Sequence, residues 1–423
     1  MELREHKLFY GWYIVMGLAV VGAVSIGMGN VNFGLYISPM SEELGIKQSF
    51  FGLTQTARLV GFSMSSWFIG RILDLYGARI PLAIAGAFMG VAMVGLSYTQ
   101  TGWQLVAFFF VKGFIGMEGG GGNLFQSVPL SRWFVRKRGK AMSMVFLGTP
   151  IGIFILCPLT QFLIDTTGWR SAWLILGGGG SLAIIIVALL VIRKEPQSIG
   201  LLPDGGLPDG REAEEDHLRD AHLPIEYSWT RSQTVRTFAF WSLSAVMGLR
   251  MLCISSLSLF RIPFYIEQGI SPQLVAWALS AEAVVAAAMA IPAGWAVDRF
   301  QPRFVATASL CMTIIVFIVT MNVSATWHVF VATILFGAAA ASFVVIQNAM
   351  WPAYFGGINI GSIRGLAVPV MTAFSAIGAP LTGAIKDATG SYIPAWLGSI
   401  ALLAVGSCLM AFTPKPKPPV EHS

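Results

Sequence analysis

Apolar runs long enough to cross a membrane recur along this chain, each closed by a short polar loop. A hydrocarbon core of about 30 Å takes roughly 20 residues of helix to span. Twelve runs of about that length can be drawn: 11–36, 50–73, 80–98, 103–129, 140–163, 172–192, 238–264, 272–296, 304–321, 327–351, 363–385 and 392–412. The pattern predicts an all-α integral membrane protein with twelve transmembrane helices. The start of the chain is charged and runs straight into the first run without a small-residue cleavage pattern, so that run is expected to be a retained helix and not a signal peptide.

One loop occurs twice. Gly70-Arg71-Ile72-Leu73-Asp74-Leu75-Tyr76-Gly77-Ala78-Arg79 and Gly294-Trp295-Ala296-Val297-Asp298-Arg299-Phe300-Gln301-Pro302-Arg303 align Gly on Gly, Asp on Asp and Arg on Arg at a single offset of 224 residues. A repeat of that period implies two pseudo-symmetric six-helix bundles, each folding the same helix–loop–helix unit. The expected domains are an N-terminal bundle (1–192), a linker (193–237), a C-terminal bundle (238–412) and a tail (413–423). The linker is rich in Pro, Gly and charge, which cannot bury a core, so a solvated tether with a short surface helix before Phe238 is expected. The Pro-Lys-Pro tail reads as a polyproline-like extension.

Composition agrees: 423 residues, 55% hydrophobic, only 11% charged, mean hydropathy +0.70. The net charge of +6 is topological, because the basic residues sit in short loops without interleaved aromatics, so no nucleic-acid partner is expected. Of the 27 Lys and Arg, only Lys47, Arg170 and Lys386 fall in loops on one side of the twelve spans; Arg58, Lys112, Arg250 and Arg261 lie in helices or at a helix end. All the others lie in the termini and the loops on the termini side. That asymmetry predicts a multi-pass protein of the cell membrane with both termini cytoplasmic. Cys157, Cys253, Cys311 and Cys408 fall in apolar stretches without paired spacing, so neither disulfide, metal site nor other cofactor is expected. No HExxH or GxSxG pattern suggests an enzyme.

The doubled loop resembles the signature of the major facilitator superfamily between its second and third helices, with the weaker echo between the eighth and ninth. Arg132-Trp133-Phe134 through Gly139-Lys140-Ala141, then Gly148, Pro158-Leu159 and Gly168-Trp169-Arg170, with the opening Tyr10-Gly11-Trp12-Tyr13, resemble the monocarboxylate-transporter and oxalate/formate-antiporter branch. The second half echoes this at Tyr354-Phe355, Arg364-Gly365, Pro380-Leu381 and Thr389-Gly390. The resemblance implies a secondary active transporter that moves a small organic anion by alternating access, with proton symport as the expected coupling. Anion exchange, or efflux of a drug or metabolite, is the alternative. A non-transporting sensor would need a folded cytoplasmic domain that neither linker nor tail is long enough to supply.

The doubled loop itself suits a gate. A carboxylate at the end of the second span can accept charge-assisted hydrogen bonds from an arginine and a neighbouring helix N-terminus. Gly70, Asp74, Gly77, Arg79, Gly294, Asp298 and Arg303 are the gating candidates; orientation by loop charge alone is the competing reading.

Charges inside spans each cost on the order of 2.5–3.5 kcal/mol at a helix centre unless paired or hydrated. Arg58, Lys112 and Arg250 are therefore candidates to bind an anionic substrate, since arginine's fork of donors matches a planar carboxylate. Glu118 and Glu282 are candidates for the coupling proton. Arg261, eleven residues after Arg250 on nearly the same helix face, reads as interfacial or as lying at a cavity mouth. Lys112-Gly113-Phe114-Ile115-Gly116 resembles the helix 4 arginine motif that the superfamily links to proton coupling, with lysine substituted. In another respect the chain departs from the branch: the helix 8 arginine of lactate and oxalate carriers falls here on Ala290, and their helix 11 lysine has no counterpart between Gly365 and Ile385. Arg250 or Arg58 would have to replace that anchor, which leaves the expected substrate as an organic anion bearing a carboxylate. Membrane lipid and the proton complete the expected partners.

Overall fold

The computed structural model describes residues 9–117, 124–134, 138–196, 229–356 and 360–416. Its helices are α1 (Tyr10–Gly27), α2 (Asn30–Leu44), α3 (Gln48–Tyr76), α4 (Arg79–Ser97), α5 (Gly102–Ile115), α6 (Leu124–Trp133), α7 (Arg138–Phe146), α8 (Gly148–Leu190), α9 (Arg231–Val235), α10 (Phe238–Glu267), α11 (Pro272–Arg299), α12 (Pro302–Met321), α13 (Thr326–Phe355), α14 (Ile360–Thr389) and α15 (Ile393–Phe412). Helix is the form in which a chain satisfies its own backbone in lipid. The short α9 is the surface helix expected in the linker, closed by a Thr230 and Gln233 capping box.

These helices make the twelve expected crossings, several of them broken. The first is α1 followed by α2, which extends eight residues beyond the predicted end of the first run. The fourth is α5 followed by α6, and the fifth is α7 followed by the first part of α8. At Gly168 the φ of 81° and ψ of 159° suit only glycine, so the chain turns and the rest of α8 is the sixth crossing. Sequence reading placed the loop there but could not place the break in the first crossing, because hydropathy continues through it; in the fourth, Gly113 and Gly116 mark the helix as locally weak, open to close packing or to a bend.

The helices α1–α8 pack as one bundle and α10–α15 as the other. Small residues let backbones approach where lipid offers no hydrophobic drive. Gly148 and Gly152, one turn apart on α8, face the backbone of Ala19 and Ala23 on α1, and a Cβ added at either glycine would collide with those carbonyls. The bundles meet chiefly along α2 with α10, α3 with α14, and α8 with α11. On α3 these contacts lie in its opening turns: Gly52 against the Ala379–Pro380 backbone, and the Thr56 hydroxyl donating to the Ala376 carbonyl. Gly34 meets Ile262, and the Ser280 hydroxyl donates to the Phe154 carbonyl at 2.9 Å. Thus the bundles close on each other toward the face away from the termini, called here the far face. At the termini-side ends of α3 and α11, an added Cβ at Gly70 or Gly294 would meet nothing within 4 Å.

Replacing Gly148 by valine should lower stability by about 1–3 kcal/mol, since the α1 backbone must retreat. Thermal unfolding in detergent measures this, and Gly178→Ala on the same helix, where an added Cβ meets nothing, should be silent.

Candidate functional site

The expected cations do not form one cluster; each is engaged within its own bundle by the partners below. Lys112 is fully buried on α5. Its ammonium donates to the Met28 carbonyl at 2.7 Å and lies 4.7 Å from the Phe109 ring centroid and 5.4 Å from that of Trp173. Met28 is at the break between α1 and α2, so Lys112 answers a carbonyl exposed by the break. Asn32 serves the same place, donating to the Gly27 carbonyl at 2.9 Å and to the Thr160 hydroxyl at 2.6 Å, while accepting from the Cys157 thiol at 2.8 Å. Arg58 is partly buried on α3, with Nε donating to Gln55 Oε1 at 3.3 Å.

In the second bundle Arg250 is 1% exposed. Its guanidinium donates to the Ser309 hydroxyl at 3.1 Å and to the Ala339 carbonyl at 2.7 Å, and lies 3.9 Å from the Phe343 ring centroid. A cation thus bridges the first and fourth crossings of each bundle through a backbone carbonyl. In one bundle it stands on the fourth crossing, in the other on the first.

Arg261 corrects the sequence reading. It is 3% exposed, not interfacial, and its Nη2 forms an ion pair at 2.7 Å with Glu282 Oε2 of α11. Its guanidinium stacks 3.8 Å from the Phe336 ring centroid, seven residues before Phe343, so α13 offers one aromatic face to both α10 arginines. Nε and Nη1 of Arg261, and Nε of Arg250, have no hydrogen-bond partner among the described residues. Gly337 makes room for the carboxylate: a Cβ there would stand 2.9 Å from Glu282 Cγ. The neighbouring α8 of the other bundle packs against α11 close by, its Phe154 carbonyl accepting from Ser280, two residues before Glu282. Eleven residues at 1.5 Å rise place Arg250 about 16 Å deeper along α10. Sequence spacing showed the two arginines on one stripe but could not show that Glu282 faces the outer one.

The remaining candidates divide. Glu118 and the side chain of Asp74 lie outside the described residues. Arg79 donates to the Leu189 carbonyl of α8 at 2.8 Å. In the second loop copy, Asp298 is exposed without a hydrogen bond or ion pair among the described residues, and Arg303 donates to Gln301 Oε1 at 3.1 Å. Gly77 adopts φ 76° at the end of α3, a turn that favours glycine.

A two-bundle helical membrane protein whose bundles close at one face and enclose a buried charge pair is built as a transporter and not as an enzyme. The family model of the Major Facilitator Superfamily matches residues 19–269 and 243–423, and the chain belongs to that superfamily. Among curated proteins it is similar to human Monocarboxylate transporter 11, 22% identical over 97% of this chain and 84% of that protein. Mouse Monocarboxylate transporter 12 is 24% identical over 67% of this chain and 61% of that protein. Among solved structures, a bacterial homolog of the human lysosomal transporter Spinster, in an inward-facing and occupied conformation, superposes with a TM-score of 0.74 at 14% identity. It covers 96% of this chain and 97% of that one. The nucleoside transporter NupG gives 0.70 at 12% identity, covering 94% and 98%.

Removing one partner of a buried pair strands the other charge, at about 3–5 kcal/mol. Arg261→Met should therefore destabilise the protein strongly, and Arg261→Met combined with Glu282→Leu should recover most of the loss; denaturant or thermal melts of the two variants check the coupling.

Proposed function

We propose that this transporter takes up a small organic anion bearing a carboxylate, together with a proton, across the cell membrane. The Arg261–Glu282 pair carries the reading. When Glu282 ionises, it holds Arg261 and the site is neutral overall. Protonation of Glu282 releases Nη2, which then meets a carboxylate in a bidentate fork together with the adjacent Nε or Nη1, neither of which has an acceptor among the described residues. The loaded site is again neutral. Proton alone or anion alone would leave an uncompensated charge in a poorly solvated site, which costs several kcal/mol. Movement of both together or of neither follows from that difference.

Arg250, deeper on the same face of α10 and with no acceptor for its Nε among the described residues, supplies the second positive station toward the termini side, and Arg58 adds positive charge from α3. Lys112 is committed to the broken first crossing in this reading, and Glu282 carries the proton. In this reading the arginines replace the family's helix 8 anchor, whose position in this sequence is Ala290. The names of the similar curated transporters support a monocarboxylate. The distribution of Lys and Arg supports cytoplasmic termini, which makes the far face the outer one and the present state open to the inside. The doubled loop, unlatched in its second copy, agrees with an open cytoplasmic side; its Asp74 and Asp298 latch the opposite state.

Transport in proteoliposomes tests this. Glu282→Gln should remove stimulation by an inwardly directed proton gradient yet retain exchange of substrate for substrate. Arg261→Ala should weaken carboxylate binding about a hundredfold, the cost of losing a buried charged partner, and Arg261→Lys should restore part of it. An unchanged pH response in Glu282→Gln, or wild-type affinity in Arg261→Ala, would refute the assignment.

A further inference from the structure

The far-face contact between α3 and α14 contains a carboxylate aimed across the bundle boundary. Asp387 of α14 accepts the Gln48 backbone N–H at 2.8 Å on one oxygen and the Ser49 backbone N–H at 2.9 Å on the other. These are the first two residues of α3, whose N–H groups have no intrahelical acceptor, and Lys47, the residue before the helix, supplies no side-chain cap. A carboxylate at that position also meets the positive end of the helix dipole. Gly383, one turn earlier on α14, permits the approach, because a Cβ there would lie 2.6 Å from the Gln48 carbonyl oxygen. The cap of an N-terminal-bundle helix is therefore supplied entirely by the C-terminal bundle.

The pseudo-symmetric position is built differently. Asp165-Thr166-Thr167-Gly168 precedes Asp387-Ala388-Thr389-Gly390 by 222 residues, and α11 is the counterpart of α3. Asp165 instead accepts from Gln161 on its own helix at 2.7 Å. The counterpart helix opens with Pro272, which has no N–H to offer. One of the two equivalent carboxylates reaches across the boundary, and the other faces a helix that lacks the first of the two donors.

We propose that Asp387 is the positioning residue that holds the far-face gate shut, capping α3 from the opposite bundle, and that this bond breaks each time the carrier opens to the far side. The bond closes nothing but the gate: it joins no two residues of one bundle and touches no part of the Arg261–Glu282 site. Its effect is on the equilibrium between far-open and far-closed states and is independent of which anion is carried. Helix α3 then has a carboxylate device at each end, Asp387 at its start and the doubled-loop Asp74 at its finish.

The test uses full-length protein in lipid nanodiscs without substrate, carrying spin labels at Gln100 and Ser324, which belong to far-face loops of different bundles. Pulsed distance measurements report the two states. Asp387→Asn should raise the ratio of the long-distance to the short-distance population about tenfold, as expected for loss of a charge-assisted cap on a two-state equilibrium. Asp165→Asn should leave it unchanged, and Asp387→Glu should lie between Asn and wild type. Gln48→Pro gives a second, independent reading: it copies Pro272, is tolerated at the first helical position, and deletes one donor while leaving Asp387 intact. It should shift the ratio in the same direction by a smaller factor. A wild-type distribution in Asp387→Asn or in Gln48→Pro, or an equal shift in Asp165→Asn, overturns the proposal. Failure of the proton-coupling assignment would show in transport by Glu282→Gln and would leave these distances untouched.

Discussion

A polar group inside a bilayer has no water to fall back on, and that constraint organises this protein more than any packing of apolar surface. Where the first crossing breaks between α1 and α2, the exposed Met28 carbonyl is answered by the buried Lys112 ammonium, and Asn32 ties the break to α8. The fourth and fifth crossings are thereby fixed against the first. Arg250 does the corresponding work between α10 and α13 through the Ala339 carbonyl. Charges that a hydropathy reading marks as anomalies are, in these two cases, the means by which each bundle keeps irregular or closely packed backbone satisfied.

The Arg261–Glu282 pair is of another kind. It links neighbouring helices of one bundle at the surface that faces α8 of the other, and two of its guanidinium nitrogens have no acceptor among the described residues. Among the described residues Arg250 lacks an acceptor only at Nε and Lys112 is met by its carbonyl and two aromatic faces, so Arg261 is the least saturated of the three buried cations. Unsaturated donors in a buried position are costly, and in the proposed uptake an arriving carboxylate would remove that cost.

Pseudo-symmetry in the fold does not extend to its polar contacts. The two halves share the loop signature and the Asp-x-Thr-Gly turn, yet the bridging cation changes helix between bundles, and only one of the two turn carboxylates spans the boundary. Duplication supplies equivalent backbones; single substitutions such as proline at position 272 decide which equivalent contact forms.

The sequence by itself determined the membrane class, the number of crossings, the division into halves and the resemblance that the family match bears out. These are one-dimensional properties: the length of an apolar run must match the bilayer, and a repeat is visible at its offset. It also marked Arg250, Lys112 and Glu282 as charges that require partners. Who the partners are was decided only by the tertiary structure. Arg261 read as interfacial because position along a helix says nothing of which neighbouring helix covers it; the rotation of α11 against α10 brings Glu282 onto it. Nothing in the sequence singles out Asp387, because its acceptor role depends on the start of α3, hundreds of residues away, arriving within hydrogen-bonding distance. The break at Met28 was invisible for the same reason: a helix in lipid can be interrupted only where another element satisfies the freed backbone, and that element is known only once the bundle is assembled.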